Sequence, residues 1–323
     1  MMRIAHRVER PSRIVSLDEV SEEVSRVVPV TSLLVVGEVL VEFMRPSRDV
    51  PLNETDVMIG PFPSGAPGIF ASAASRLGVP TALCAAVGDD PFGQLIRGRL
   101  QQHGVDVDGV VIDPDRATAV AFVAYTSTGE RSFVFHVSGA AAARLRPTDL
   151  GRRPEDTDWL HISGSSLALG SPLAETAVEA VGRVKRAGGR VSVDPNIRAE
   201  ASSPGVTSAI RSIARQADVL LPSEGELDAL GLDERELLEA GAVVCTTLGA
   251  NGARVRYGTI DVHVPAPAAD EVDPTGAGDI FAAGFVAATL GGADPVDAAR
   301  RGCEVAAPSV EAVGTMESSI ERS

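Results

Sequence analysis

Lysine is almost missing from this 323-residue chain: Lys185 stands alone among 29 basic residues, and the rest are arginine. The deficit excludes two classes. A P-loop kinase needs a lysine in its Gly-Lys-Ser/Thr step, and a protein kinase needs a strand lysine for the nucleotide phosphates. Lys185, in Arg183-Val184-Lys185-Arg186, sits in neither context and reads as a surface residue without a role. Schiff-base chemistry wants a lysine desolvated in a pocket, which a polar helix face does not offer. Cysteine is scarce too: Cys84, Cys245 and Cys303 are odd in number, far apart and set among apolar residues. That spacing suits neither a disulfide framework nor a zinc site, and a reducing, cytoplasmic location is the expectation. No apolar run approaches the length of a bilayer span, so no membrane partner is expected. Residues 1–30 mix Arg and Glu among Val and Ile without the apolar h-region of a signal peptide, and read as an N-terminal extension of unknown role. A dominant basic tract is lacking as well. With 44 acidic against 29 basic residues and a net charge of −15, binding to nucleic acid by phosphate neutralisation is not expected.

What is present is a rhythm. Short apolar runs alternate with helix-period segments, which predicts an α/β fold: a mostly parallel central sheet flanked by helices. The expected strands are Ser32–Gly37, Thr81–Val87, Trp159–Ile162, Arg190–Val193, Ala217–Leu221 and Ala242–Thr247. Helices are expected over Ile69–Leu77, Pro91–His103, Ala174–Ala187, Gly278–Leu290 and Pro295–Val305. One stretch breaks the rhythm. Thr118–Tyr125 and Arg131–His136 alternate with period two across a short polar turn, the signal of a hairpin. With Val39–Met44 and Val57–Ile59 as neighbours, it forms a small sheet standing off the core, a lid able to close over a pocket and exclude water.

Asp273-Pro274-Thr275-Gly276-Ala277-Gly278-Asp279 carries the strongest chemical signal. A strand-like segment, Val262–Pro265, leads into it and an apolar helix leaves it. Gly276, Ala277 and Gly278 leave the backbone uncrowded, so their N–H groups converge at a helix N-terminus and favour an anion there. Asp279 falls in the first turn. A carboxylate beside a phosphate is repulsive unless it has a task, and the natural task is taking the proton of an attacking hydroxyl. The alternative is an ordinary glycine-rich turn with Asp279 as a helix cap. A dinucleotide fingerprint fails, because no third glycine stands at the required offset.

This run resembles the D-T-x-G-A-G-D signature of the ribokinase-like (PfkB) carbohydrate kinases, with Pro274 replacing the usual threonine. Further fragments recur in that family's order: Gly65-Ala66-Pro67, Arg76-Leu77-Gly78, Val87-Gly88-Asp89-Asp90-Pro91-Phe92-Gly93, Thr128-Gly129-Glu130-Arg131, Asp194-Pro195-Asn196-Ile197-Arg198 and Leu248-Gly249-Ala250-Asn251-Gly252. The resemblance implies a ribokinase-like kinase domain over residues 31–323, with lid strands from about 39–63 and 116–137. It implies an ATP-dependent sugar kinase in which Asp279 is the base and the amides of Gly276, Ala277 and Gly278 form the anion hole. By the same resemblance Ser223, Thr247, Gly249 and Gly252 border ATP, although the family has asparagine where this chain has Ser223. Glu226 matches the glutamate that orders water around Mg²⁺, and Asp273 matches the aspartate near the cation loop of potassium-activated members.

At the sugar end the resemblance points to Glu42, Gly65, Asn196 and Arg198. Glu42 replaces a common aspartate and is the usual residue in 2-keto-3-deoxygluconate kinases. Asn196 and Arg198 follow a strand at its carboxyl end, where open α/β sheets bind ligands, and Arg198 suits a carboxylate or phosphate as a bidentate fork, or a surface ion pair. Two departures stand out. A substrate-contacting asparagine of the family is Ile69 here, and the lid Tyr-Arg of ketodeoxygluconate kinases is His136-Val137. Losing that arginine favours a neutral or more apolar substrate over a sugar acid. A nucleoside kinase of the same fold and a non-catalytic ligand-binding pseudokinase remain as alternative functions. Homodimerisation through the lid, common in the family, is a further expectation.

Overall fold

In β1 (Thr31–Val36), Leu33 and Val35 enter one hydrophobic cluster while Leu34 and Val36 enter another. Successive side chains of a strand face opposite ways, so an unbroken apolar run needs a covering layer on each side. The computed structural model, which describes residues 31–128, 131–197, 203–314 and 316, provides both layers. β1 lies parallel between β4 (Thr81–Gly88) and β8 (Thr157–Ser163). Beyond β4 comes β5 (Val110–Asp113); beyond β8 come β9 (Arg190–Asp194), β10 (Val219–Leu220), β11 (Val243–Thr247), β12 (Ala253–Tyr257) and β13 (Ile260–Val264). The last two strands are antiparallel and the others parallel.

The first cluster is completed by α1 (Ala66–Arg76), α2 (Pro91–Gln102), α7 (Ala277–Leu290) and α8 (Pro295–Ala306). The second is completed by α3 (Ser171–Ala187), α4 (Pro204–Ala214), α5 (Glu226–Leu230) and α6 (Glu234–Glu239). Two polar rings are embedded in the sheet. Trp159 Nε1 and His161 Nδ1 meet the Ser192 hydroxyl at 2.8 and 2.9 Å, and the His161 ring stacks on Phe70 with centroids 3.6 Å apart. Full burial pushes the His161 pKa down to about 3, so the ring is neutral.

Lys185 has a role after all. Its ammonium lies 2.8 and 2.9 Å from the two carboxylate oxygens of Asp218, which also accepts the Val191 N–H. The pair fastens the end of α3 to the approach to β10, a partner that periodicity on one helix cannot reveal.

The lid is a separate four-stranded sheet in the order β3 (Ile59–Ser64), β2 (Leu40–Met44), β6 (Ala119–Tyr125), β7 (Arg131–His136). The expected strand at Val57–Ile59 is displaced. Val57 is exposed, and the pairing with Leu40–Met44 begins at Ile59 and runs on through Phe62 and Ser64, because Ile59 and Phe62 pack on Met44 and Val123. Register then assigns the faces. Glu42 opposes Ala121, and Ala121 opposes Phe135, so these three share a face with Val123 and Tyr125. His136 opposes Val120 on the other face, where its ring meets Phe122 edge-on at 5.9 Å.

Candidate active site

Tyr125, at the end of lid strand β6, bonds Asp273 and Thr275 in the loop before α7, which brings the lid to the N-terminus of that helix. Gly276 caps α7 in the left-handed conformation, φ +73°, which favours glycine. Asp279 follows in the first turn and is buried, whereas Gly278 is exposed with open space where a side chain would stand. First-turn N–H groups have no partner within a helix, so this end is a seat for an anion with a carboxylate beside it. Ala277 N lies 3.3 Å from Pro274 O, a long bond inside the loop. The strand expected at Val262–Pro265 is β13 (Ile260–Val264), and residues 265–276 separate it from α7 in a loop held to Val310, whose carbonyl accepts the Val272 and Asp273 N–H groups.

Several expected site residues converge at the strand ends. Ser223 and Thr247 pair across β10 and β11, their hydroxyls 3.3 Å apart. Glu226 accepts N–H bonds from Ser223 at 2.8 Å and Ile197 at 2.6 Å, knitting the ends of β9 and β10 together. Asn196, beside Ile197, holds φ +39° and donates its N–H to Asp194 at 2.9 Å. Gly249 and Gly252 turn the chain from β11 into β12, and a side chain at Gly252 would collide with the Val264 carbonyl. Arg198 lies outside the described residues, as do Gly129 and Glu130. Next to Ser223 a groove of about 490 Å³ is lined by Thr246, Leu248, Arg254 and Arg256. Its arginines already pair, Arg254 with Asp261 and Arg256 with Glu234.

On the lid, Glu42 is buried on the face shared with Tyr125. Val137, which the resemblance aligns with the arginine of ketodeoxygluconate kinases, packs with Phe135 against the apolar cluster that includes Leu40 and Ala121. His136 faces away and does not replace the family's tyrosine. Gly65 caps α1 with φ +99°, packed against the Glu38 carbonyl. Ile69 is not in the pocket: it is buried in the core cluster beneath α1, as its apolar side chain dictates.

Three features escaped the sequence reading. Glu38, buried at the end of β1, accepts hydrogen bonds from the hydroxyls of Ser165 and Ser166. Asp90, in the Val87–Gly93 run, caps α2 through Gly93 N and takes two bonds from Thr118 at the foot of β6. Tyr125 donates its hydroxyl to Asp273 at 2.7 Å and lies 2.5 Å from the Thr275 hydroxyl. The Asp273 carboxylate also accepts from Thr275 N and Gly314 N, so a monovalent cation there would share it. Among the described residues no cluster of three His, Cys, Asp or Glu side chains stands ready for a metal.

A buried aspartate in the first turn of α7, a glycine cap before it and a separate lid sheet bonded to the adjoining loop through Tyr125 and Asp273 suit a small-molecule phosphotransferase of the α/β class with an alcohol acceptor. The chain belongs to the pfkB family of carbohydrate kinases, matching it over residues 30–322. It is similar to a fructokinase of Vibrio alginolyticus, with 34% identity over 74% of this chain and 79% of that protein. A putative ribokinase II of E. coli, solved in complex with ATP and Mg²⁺, superposes with a TM-score of 0.84 at 35% identity, over 90% of this chain and 96% of that one. The fructokinase of Vibrio cholerae, solved with fructose, ADP and calcium ion, superposes with a TM-score of 0.76 at 30% identity, over 89% and 95%.

Proposed function

We propose that this chain transfers the γ-phosphoryl group of ATP to a hydroxyl of a neutral sugar of the ketohexose class, with Asp279 as the base. The observation that carries the reading is the buried Asp279 carboxylate in the first turn of α7, beside an open helix N-terminus. Asp279 takes the proton of the attacking hydroxyl, whose oxygen forms the new bond to phosphorus as the bond to the β-phosphate oxygen breaks and ADP leaves. The amides of Gly276, Ala277 and Gly278 stabilise charge on the transferring group. Mg²⁺, arriving with ATP and keeping several of its waters, supplies charge neutralisation of the phosphates; Glu226 would hold those waters. Ser223, Thr247, Gly249 and Gly252 flank the nucleotide, and Glu42 and Asn196 bond sugar hydroxyls.

The neutral substrate follows from Val137. A sugar carboxylate facing Phe135 and Val137 would be desolvated without a cation to pair with, and that costs more than a hydroxyl does. A coupled ADP-release screen over fructose and other neutral sugars, 2-keto-3-deoxy sugar acids and nucleosides tests the reading. Turnover should be highest on a neutral ketohexose; a sugar acid or a nucleoside as best substrate would replace it.

A further inference from the structure

Tyr125 belongs to the lid, but its hydroxyl ends in the signature loop. It sits at the end of β6, on the face that carries Glu42, and is almost wholly buried. The hydroxyl donates to Asp273 Oδ1 at 2.7 Å and shares a 2.5 Å contact with Thr275 Oγ1, across 148 and 150 positions of sequence. Asp273 Oδ1 in turn accepts the Thr275 N–H at 3.0 Å, so tyrosine, aspartate and threonine form a closed ring of bonds one residue before the Gly276 cap of α7. A second strut runs alongside: Arg48 reaches the Thr126 carbonyl on the lid and the Val272 carbonyl on the loop, each at 3.5 Å. Burial, then the Asp273 charge, raises the Tyr125 pKa, with a smaller push from Glu42, and the phenol therefore stays protonated and keeps donating.

We infer that Tyr125 is a positioning residue that couples the lid to the signature loop, so that the anion-seating end of α7 is held in shape only while the lid is in place over the sugar. The inference rests on the kinase reading for its consequence, since the lid face carrying Glu42 is where the sugar binds. Its physical content is a tether. When the lid lifts, Tyr125 leaves Asp273, and Thr275 and the Gly276 cap lose a support on which the phosphate-binding amides depend. Transfer to sugar is thereby favoured over transfer to water, because the anion seat is complete only when the lid has closed and excluded water.

Tyr125→Phe removes the hydroxyl and keeps the ring, so the small cluster with Met44, Val123 and Phe133 stays packed. The expected result is a fall in kcat for sugar phosphorylation of about tenfold with a smaller change in sugar KM. ATP hydrolysis without sugar should rise relative to transfer, amide exchange over residues 272–279 should quicken, and the melting temperature should hold. Unchanged kcat and unchanged exchange would overturn the inference, and so would a kcat loss matched by a general fall in melting temperature and exchange protection throughout the fold. If the wild-type chain phosphorylates no sugar, the kinase reading fails, while exchange at 272–279 in the variant still decides whether the tether exists.

Discussion

Asp90 holds Thr118 by two hydrogen bonds, its carboxylate accepting the Thr118 N–H at 2.7 Å and the hydroxyl at 2.8 Å. Thr118 is the residue before β6, so this pair fastens the foot of a lid strand to the cap of α2 in the core. The same hydroxyl accepts the Gly88 N–H, which completes the joint. Much of the Val87–Gly93 run is therefore a hinge mounting, with Gly88 and Gly93 packed so closely around Thr118 that neither has room for a side chain.

Asp90→Ala should cost about 1–3 kcal/mol, from a lost helix cap and lost charge-assisted bonds. The sugar KM should rise, because the lid is no longer anchored. Burial raises the Asp90 pKa, but the bonds from Thr118 and Gly93 outweigh it and hold the carboxyl below its ordinary 3.8. The contribution is thus present above 3.8 and is lost as pH falls through the lowered value. Urea unfolding at neutral pH, with sugar titrations, measures both effects; a variant of wild-type stability and KM would remove the hinge role.

His161 gives a pH dependence of opposite origin. Its folded pKa of about 3 lies below the ordinary 6.5, so the unfolded chain takes up a proton first as pH falls. Stability from the neutral ring is complete above 6.5 and declines from there toward 3. Between pH 7.5 and pH 5 the urea midpoint of the wild type should therefore drop further than that of His161→Leu, which has nothing to protonate there. Parallel drops in the two proteins would show that His161 is not held neutral by the fold.

Val137→Arg should shift substrate preference. An arginine at this site, on the face shared with Phe135, offers a bidentate partner to a carboxylate. The ratio of kcat/KM for a 2-keto-3-deoxy sugar acid over fructose should rise by about tenfold or more. A ratio that does not move would mean that Val137 lies outside the sugar's reach.

The main sheet and its principal helices were legible because their signals are local. β1 and β4 are short apolar runs, α2 and α8 begin with proline and an aspartate cap, and Asp279 follows a glycine-rich loop. Elements with weaker signals were lost. β5 is half exposed at a sheet edge, β12 carries Arg254 and Arg256 on one face, and α5 and α6 are too short for a helical period to show. Pairings between distant segments were beyond reach for another reason. Period two puts His136 and Phe135 on opposite faces, but only the register through Ala121 to Glu42 says which of them shares a face with Glu42. Tyr125 read as the last residue of a strand, since nothing near it in sequence announces a partner in the signature loop.

The central claim is that Asp279 takes the proton from the attacking sugar hydroxyl, and Asp279→Asn tests it most directly, because amide replaces carboxylate at nearly constant shape. With fructose, or the best neutral sugar from the screen, and saturating ATP–Mg²⁺, kcat should fall by about 10²–10⁴-fold while ATP and sugar still bind and the melting temperature is kept. An Asn variant that turns over at the wild-type rate would contradict the account.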